Sequence, residues 1–116
     1  MLHAKQIKQA LGIAAIHTQV SSWRSRAQEN NAQIDLVIDR KDNCINLCEM
    51  KFSAKEYTID KKYAANIQNK IGAFTQETNT RKAVFFTMVT TYGVSNNNYY
   101  QQWISNSITL DKLFAV

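Results

Sequence analysis

The chain has 116 residues, of which 45% are hydrophobic and 20% charged, a composition typical of one globular domain with its own core. No apolar run approaches the ~20 residues that cross a bilayer, and the amino terminus lacks the order of a secretory signal, so we expect a cytoplasmic protein. The formal charge of +5, from fourteen Lys and Arg against nine Asp and Glu, favours polyanionic partners without identifying one.

The only two cysteines, Cys44 and Cys48, lie four residues apart within a predicted strand. This spacing places them on one face of the strand, ~13 Å apart, which is too far for a disulfide. The two histidines are remote from each other in sequence, so a structural zinc site is not expected. We interpret both cysteines as small buried apolar residues.

The first quarter of the chain predicts a helix, a strand and a loop. Apolar residues within residues 2–11 recur at three- and four-residue steps, and Gly12 follows as a stop, which is typical of a short amphipathic helix. Residues 13–23 are richer in β-branched and aromatic residues and predict the first strand. The polar residues 24–31 predict a loop.

Residues 32–39 and 44–51 predict the two strands of an antiparallel hairpin, with the polar residues 40–43 as its tight turn. In the first strand Ile34, Leu36 and Ile38 share one face, and Gln33, Asp35, Val37 and Asp39 share the other. In the second strand Ile45, Leu47, Glu49 and Lys51 share a face.

A longer amphipathic helix is predicted after the hairpin. Its apolar positions step by three or four residues from Ile59 to Phe74. Thr58 is the expected N-cap, and Asp60 in the first turn suits the positive end of the helix dipole.

The remaining sequence predicts a buried strand and a weaker final element. Residues 83–92 form the most apolar run, and a helix crossing from the third strand would place this fourth strand parallel to it. A short edge strand at residues 107–109 and a helical turn within residues 110–116 follow. The order α-β-β-β-α-β predicts a single α/β (α+β) domain over residues 1–116, with a mixed central sheet flanked by helices.

Three charged residues of the hairpin predict a chemical site. Glu49 and Lys51 stand two apart and so project from one face, and Asp35 stands on the neighbouring strand. Two converging carboxylates suit Mg²⁺ or Mn²⁺, and a nearby lysine can stabilise the charge that develops on a phosphate or orient the attacking water. These are the components of phosphodiester hydrolysis.

Asp35, thirteen intervening residues and then Glu49-Met50-Lys51 resemble the motif of the PD-(D/E)xK nuclease superfamily. The resemblance implies a restriction-endonuclease-like αβββαβ core, Mg²⁺ or Mn²⁺ as the cofactor, Asp35 and Glu49 as metal ligands and Lys51 as the catalytic lysine. Many active members also supply an acidic residue from the first helix, but residues 2–11 contain none. Glu29, just before the second strand, is the candidate substitute.

Four segments, residues 6–13, 32–40, 45–52 and 90–93, resemble more specifically the carboxy-terminal domain of AAA-type ATPases of the Bacteroidetes type. This resemblance implies an ATPase domain or subunit as a partner. The chain has no Walker A sequence, so ATP binding is not expected here. If the chain is a fragment of a larger ATPase, its uncovered apolar surface would favour a homo-oligomer.

Ordinary structural roles compete with the predicted site. Asp35 could be an exposed carboxylate, or one that Lys51 or Lys61 neutralises. Glu49 and Lys51 could be charges that protect an edge strand from aggregation.

The basic and aromatic residues near the site have similar alternatives. Four lysines in or near the second helix either contact a phosphate backbone or form a solvated face: Lys55, Lys61, Lys62 and Lys70. Lys62 and Gln68 could assist the site, although we do not expect this of Gln68. The aromatic residues Tyr99, Tyr100 and Trp103, like Trp23, either stack on bases or pack into the protein, and we expect packing.

Two functions from different classes follow. The first is a metal-dependent nuclease that acts on DNA, in which Asp35 and Glu49 hold the ion and Lys51 assists. The second is a catalytically inactive module with the same fold, which binds nucleic acid or a protein partner for an associated ATPase.

Overall fold

The structure, a computed structural model, describes residues 4–26 and 32–113. Within these residues the chain forms α1 (Ala4–Ala10), β1 (Thr18–Arg24), β2 (Gln33–Arg40), β3 (Cys44–Lys51), α2 (Lys61–Thr78), β4 (Ala83–Thr90), α3 (Asn98–Trp103), β5 (Asn106–Thr109) and α4 (Leu110–Leu113). None of the described helices is long and apolar enough to span a membrane.

The five strands form one mixed sheet in the order β1-β2-β3-β4-β5. β2 pairs antiparallel with β1 and with β3, and β4 pairs parallel with β3 and with β5. The predicted hairpin and the predicted parallel pairing of the third and fourth strands are therefore confirmed. α2 is the crossover between β3 and β4, as a parallel connection requires.

The sheet separates two clusters of buried side chains. On the α2 side the cluster contains Val37, Ile45, Leu47, Ile67, Phe74, Phe86 and Met88. On the side of α1 and α4 it contains Ile7, Leu36, Ile38, Cys48, Val89, Ile108 and Leu113. Ile34 packs in the α2-side cluster, so the prediction that it shares a face with Leu36 and Ile38 is wrong.

The turns around β2, β3 and α2 are fixed by local chemistry. Asn43 closes the hairpin with a left-handed backbone conformation (φ 65°), which asparagine tolerates better than most residues. The Asp60 carboxylate accepts a hydrogen bond from the Tyr63 backbone N–H at 2.8 Å and is the N-cap of α2. The prediction of Thr58 as the N-cap is therefore wrong, and the Thr58 hydroxyl lies 3.0 Å from that of Ser95.

Two predicted strands are shorter in the structure than in the sequence analysis. Residues 13–17 form turns, in which the Ile16 N–H donates to the Ile13 carbonyl at 3.0 Å, and β1 begins only at Thr18. β4 ends at Thr90, whose hydroxyl accepts a hydrogen bond from the Gly93 N–H at 2.9 Å and turns the chain. Residues 2–3, 27–31 and 114–116 of the predicted elements lie outside the described residues.

Candidate functional site

The site begins where β2 and β3 stop pairing. Their register ends at Leu36 opposite Cys48, and two residues further on the Met50 backbone N–H donates to Asp35 Oδ2 at 3.1 Å. Asp35 is exposed, and among the described residues no lysine lies within ion-pair distance of it. The interpretation of Asp35 as a partner of Lys51 or Lys61 is therefore wrong.

Glu49 is a buried carboxylate in the middle of the sheet. β3 lies between β2 and β4, so Glu49 and Lys51 do not protect a sheet edge, and that interpretation is also wrong. Glu49 is only 4% exposed. One of its oxygens accepts a hydrogen bond from Lys70 Nζ, and the other accepts one from the Tyr63 hydroxyl. These two donors satisfy a charge that burial would otherwise destabilise.

Tyr63 lies at the centre of this group. Burial, the hydrogen bond that its hydroxyl donates to Glu49, and the neighbouring negative charges all raise the Tyr63 pKa. Lys51 Nζ lies 5.1 Å from the centroid of the Tyr63 ring, close enough for a cation–π interaction. The Tyr57 ring meets the Tyr63 ring edge to face, with centroids 5.4 Å apart.

We call Asp35, Glu49, Lys51, Tyr63 and Lys70 the Glu49 cluster. The three residues named by the sequence analysis come from the hairpin, and the other two come from α2. Tyr63 and Lys70 are seven residues apart, about two helical turns, so they lie on the same face of α2. The Asp60 cap fixes the first turn of α2, which carries Tyr63.

Tyr63 was not predicted as a site residue, and Lys70 was predicted among four lysines that either contact a phosphate backbone or form a solvated face. The sequence feature that could have identified Tyr63 and Lys70 is their spacing. A tyrosine and a lysine two turns apart, at the margin of an apolar helix face, can both reach one buried carboxylate. Lys55, Lys61, Lys62 and Gln68 are exposed and outside the Glu49 cluster.

The predicted packing of the aromatic residues is confirmed. Tyr99, Tyr100 and Trp103 lie on α3 and pack against the α2-side cluster. Trp23 packs there too, with its ring centroid 5.4 Å from that of Phe74. The large hydrophobic side chains that remain exposed among the described residues are Phe52 and Tyr92, each at 60%.

The carboxylate oxygens of the Glu49 cluster are ligand atoms of the type that a hard divalent cation binds. Asp35 and Glu49 are carboxylates, and Mg²⁺ sites commonly use one or two carboxylates together with waters and substrate phosphates. The described residues contain no group of three or more His, Cys, Asp or Glu arranged to hold a metal ion, and the candidate Glu29 lies outside them. The Lys70 ammonium group, which forms an ion pair with Glu49, already supplies a positive charge beside this carboxylate.

A cleft of about 620 Å³ is a separate feature of the molecule. Its lining includes Trp23, Val37, Phe74 and the ion pair between Lys82 Nζ and Asp39 Oδ1 (2.5 Å), but no member of the Glu49 cluster. The cleft therefore does not contribute to the candidate site.

Comparison with protein-family models, with curated proteins and with solved structures found no match in any of the three.

Proposed function

We propose that the chain is a nuclease-like domain of the PD-(D/E)xK type, with the restriction-endonuclease-like fold, that hydrolyses phosphodiester bonds in DNA with a divalent metal ion. The order of elements supports this proposal. A helix, three consecutive antiparallel strands, a crossover helix and a parallel strand follow one another in the order that the resemblance implies.

The observation that carries the proposal is the grouping of Asp35, Glu49 and Lys51 around Tyr63 at the end of the β2–β3 hairpin. Asp35 bonds to the backbone of β3, Glu49 bonds to the Tyr63 hydroxyl, and Lys51 lies over the Tyr63 ring. Two carboxylates, one exposed and one buried, and a lysine are thereby held within one small region of the molecule. Phosphodiester hydrolysis needs such a combination of metal ligands and positive charge.

Each residue has a role in this proposal. Asp35 and Glu49 would hold Mg²⁺ or Mn²⁺, which when bound would act as a Lewis acid on a phosphate oxygen. Lys51 stabilises the negative charge that develops on the phosphate or orients the attacking water. The water oxygen bonds to phosphorus while the bond from phosphorus to one sugar oxygen breaks. The attacking water loses one proton and the departing sugar oxygen gains one, so the products are a phosphomonoester and an alcohol.

Exposed residues next to the site support a nucleic-acid substrate. Lys51 pairs in register with Thr90, so Phe52 and Tyr92 follow the paired ends of β3 and β4. Exposed aromatic rings can stack on bases, and Lys55 nearby in the chain can contact phosphates. The exposed Lys61 and Lys62 at the start of α2 add positive charge for such contacts.

The test is cleavage of end-labelled single- and double-stranded DNA with Mg²⁺ or Mn²⁺, and with a chelator in place of the metal. We expect metal-dependent cleavage that falls at least about a hundredfold in Lys51→Gln and in Asp35→Asn. Lys41→Gln, in the exposed turn at the other end of the hairpin, is the matched control and should retain activity. Cleavage that persists with the chelator, or equally in Lys51→Gln, would contradict the proposal.

The second candidate function is the catalytically inactive module that binds nucleic acid or a protein partner. The observation that favours it is the bonding of both Glu49 oxygens to donors within the protein. DNA binding without cleavage, together with no affinity for Mg²⁺ or Mn²⁺, would identify this function. An ATPase partner and self-association remain predictions, which co-purification and measurement of molecular mass in solution would test.

A further inference from the structure

Lys70 occupies a specific position relative to Glu49. Its ammonium group bonds to Glu49 Oε1, and the Tyr63 hydroxyl bonds to the other oxygen. The side chains are nearly closed to solvent, at 15% exposure for Lys70 and 6% for Glu49. A full positive charge on a side chain of α2 therefore neutralises the carboxylate that the proposed function assigns to a divalent metal.

We propose that Lys70 is a tethered cation that competes with the metal for Glu49 and so sets the metal affinity of the site; this inference rests on the proposed function. A carboxylate oxygen that accepts an ammonium donor directly does not also bind a cation at full strength, and two positive charges beside one oxygen repel each other. Binding of the metal to Glu49 therefore requires that Lys70 move away.

The chemistry of lysine allows this movement. Its ammonium group is a point charge on a flexible four-carbon stem, which can carry the charge to solvent while the stem stays packed. Lys70 retains some exposure, so the path to solvent is short. The Tyr63 hydroxyl, by contrast, is a neutral donor on a rigid ring, and we expect it to stay on Glu49 when Lys70 leaves. Lys70 is thus a positioning residue that acts through Glu49.

The experiment is calorimetric titration of Mn²⁺ or Mg²⁺, without nucleic acid, into the wild type and into Lys70→Gln, Lys70→Met and Lys70→Arg. Lys70→Gln keeps a hydrogen-bond donor for Glu49 and so remains informative if Lys70→Met fails to fold. We expect metal affinity to rise about tenfold or more in Lys70→Gln and Lys70→Met, and to stay near that of the wild type in Lys70→Arg. Lys41→Gln removes the same charge from the exposed turn of the hairpin, outside the Glu49 cluster; it is the matched control and should leave the affinity unchanged.

A second measurement checks that Glu49 is the ligand. The gain in affinity should be absent from Glu49→Gln/Lys70→Gln, because that double variant has lost the carboxylate for which lysine and metal compete. If the wild type binds the metal and Lys70→Gln binds it equally well or more weakly, the inference is overturned. The proposed nuclease function would then still stand. No metal binding by any variant would overturn both.

Discussion

The Met50 backbone N–H donates to the Asp35 carboxylate at 3.1 Å, just beyond the last registered pair of β2 and β3. A side chain of one strand here bonds to the backbone of the next. This contact holds Asp35 beside β3 without an ion pair from any lysine among the described residues, and it leaves the carboxylate exposed.

Asp35→Asn should separate the structural role of this residue from its proposed metal-binding role. The asparagine side-chain oxygen can still accept the Met50 N–H, so we expect the free energy of unfolding to change by no more than about 0.5 kcal/mol. Metal affinity should fall, because the negative charge is lost. Denaturant unfolding and metal titration of the same preparation would check both parts, and a large loss of stability would show that the charge itself supports the fold.

Tyr63→Phe should destabilise the protein by about 1.5–3 kcal/mol, the range for a hydrogen bond to a charged group. The substitution leaves one oxygen of the buried Glu49 without its phenolic donor. Urea unfolding would measure the change. Tyr92→Phe is the matched control, since Tyr92 is 60% exposed, and it should have an effect within about 0.5 kcal/mol. Equal effects of the two substitutions would contradict a structural role for the Tyr63 hydroxyl.

Stability should fall in alkaline solution, in part through Tyr63. Its pKa in the folded state is raised above the ordinary value of 10.0, first by burial and then by Glu49. At a pH between the pKa of Tyr63 in the unfolded chain and its pKa in the folded protein, the unfolded chain has lost a proton that the native protein keeps. The contribution of Tyr63 to stability is therefore fully present below about pH 10 and is lost as the pH rises. The wild type should therefore lose up to about 1.4 kcal/mol per pH unit more than Tyr63→Phe above pH 10. Parallel stability curves for the two proteins would contradict this.

The two cysteines should differ sharply in reactivity. Cys48 is fully buried in the cluster on the side of α1 and α4, and burial raises the pKa of its thiol to about 12. Cys44 is only half-buried at the start of β3, so the prediction that both cysteines are buried is confirmed for Cys48 and is wrong for Cys44. Because the thiolate is the reactive form, iodoacetamide at pH 8 should label Cys44 in the native protein and leave Cys48 unlabelled until denaturant is added. Mass spectrometry of digested peptides would give the extent of labelling, and rapid native labelling of Cys48 would contradict its position in the core.

Asn43 should be replaceable by glycine but not by a β-branched residue. Its φ of 65° lies in the left-handed region, which glycine adopts freely and valine adopts only with strain. We expect Asn43→Val to lower the free energy of unfolding by about 1–2 kcal/mol and Asn43→Gly to change it far less. Thermal unfolding of the pair would measure this, and similar losses in both variants would point to the asparagine side chain.

The sequence predicted the elements better than it predicted the contacts between them. Alternation along residues 32–39 and 44–51 was sufficient to predict the hairpin, because side chains on a strand repeat every two residues. Thr58 and Asp60 are both good capping residues two positions apart, and only the hydrogen bond from the Tyr63 N–H decides between them. The face of Ile34 was predicted wrongly because the register of β2 against β1 shifts between Ile34 and Val37, which breaks strict alternation near the start of β2.

The partners of Glu49 depend on information that alternation does not contain. Whether Lys70 points to solvent or to β3 is set by the rotation of α2 about its own axis, which follows from the packing of Ala64, Ile67 and Phe74 on the sheet. Asp35, Glu49 and Lys51 are predictable as neighbours from the sequence because they share one hairpin. Tyr63 and Lys70 are not, because they approach Glu49 through a tertiary contact.

All members of the Glu49 cluster come from one continuous stretch, residues 35–70. The bonded partners are close along the chain, with Met50 fifteen residues from Asp35 and Lys70 twenty-one residues from Glu49. Closing short loops costs less conformational entropy than closing long ones, so these contacts are among those that form at low cost during folding. The parallel pairing of β3 with β4 joins residues 39 positions apart, as in Cys44 and Ala83, and requires a longer loop to close. The Glu49 cluster is therefore assembled from one short stretch of chain, and β4, which pairs with β3 on the other side, comes later in the sequence and supports it.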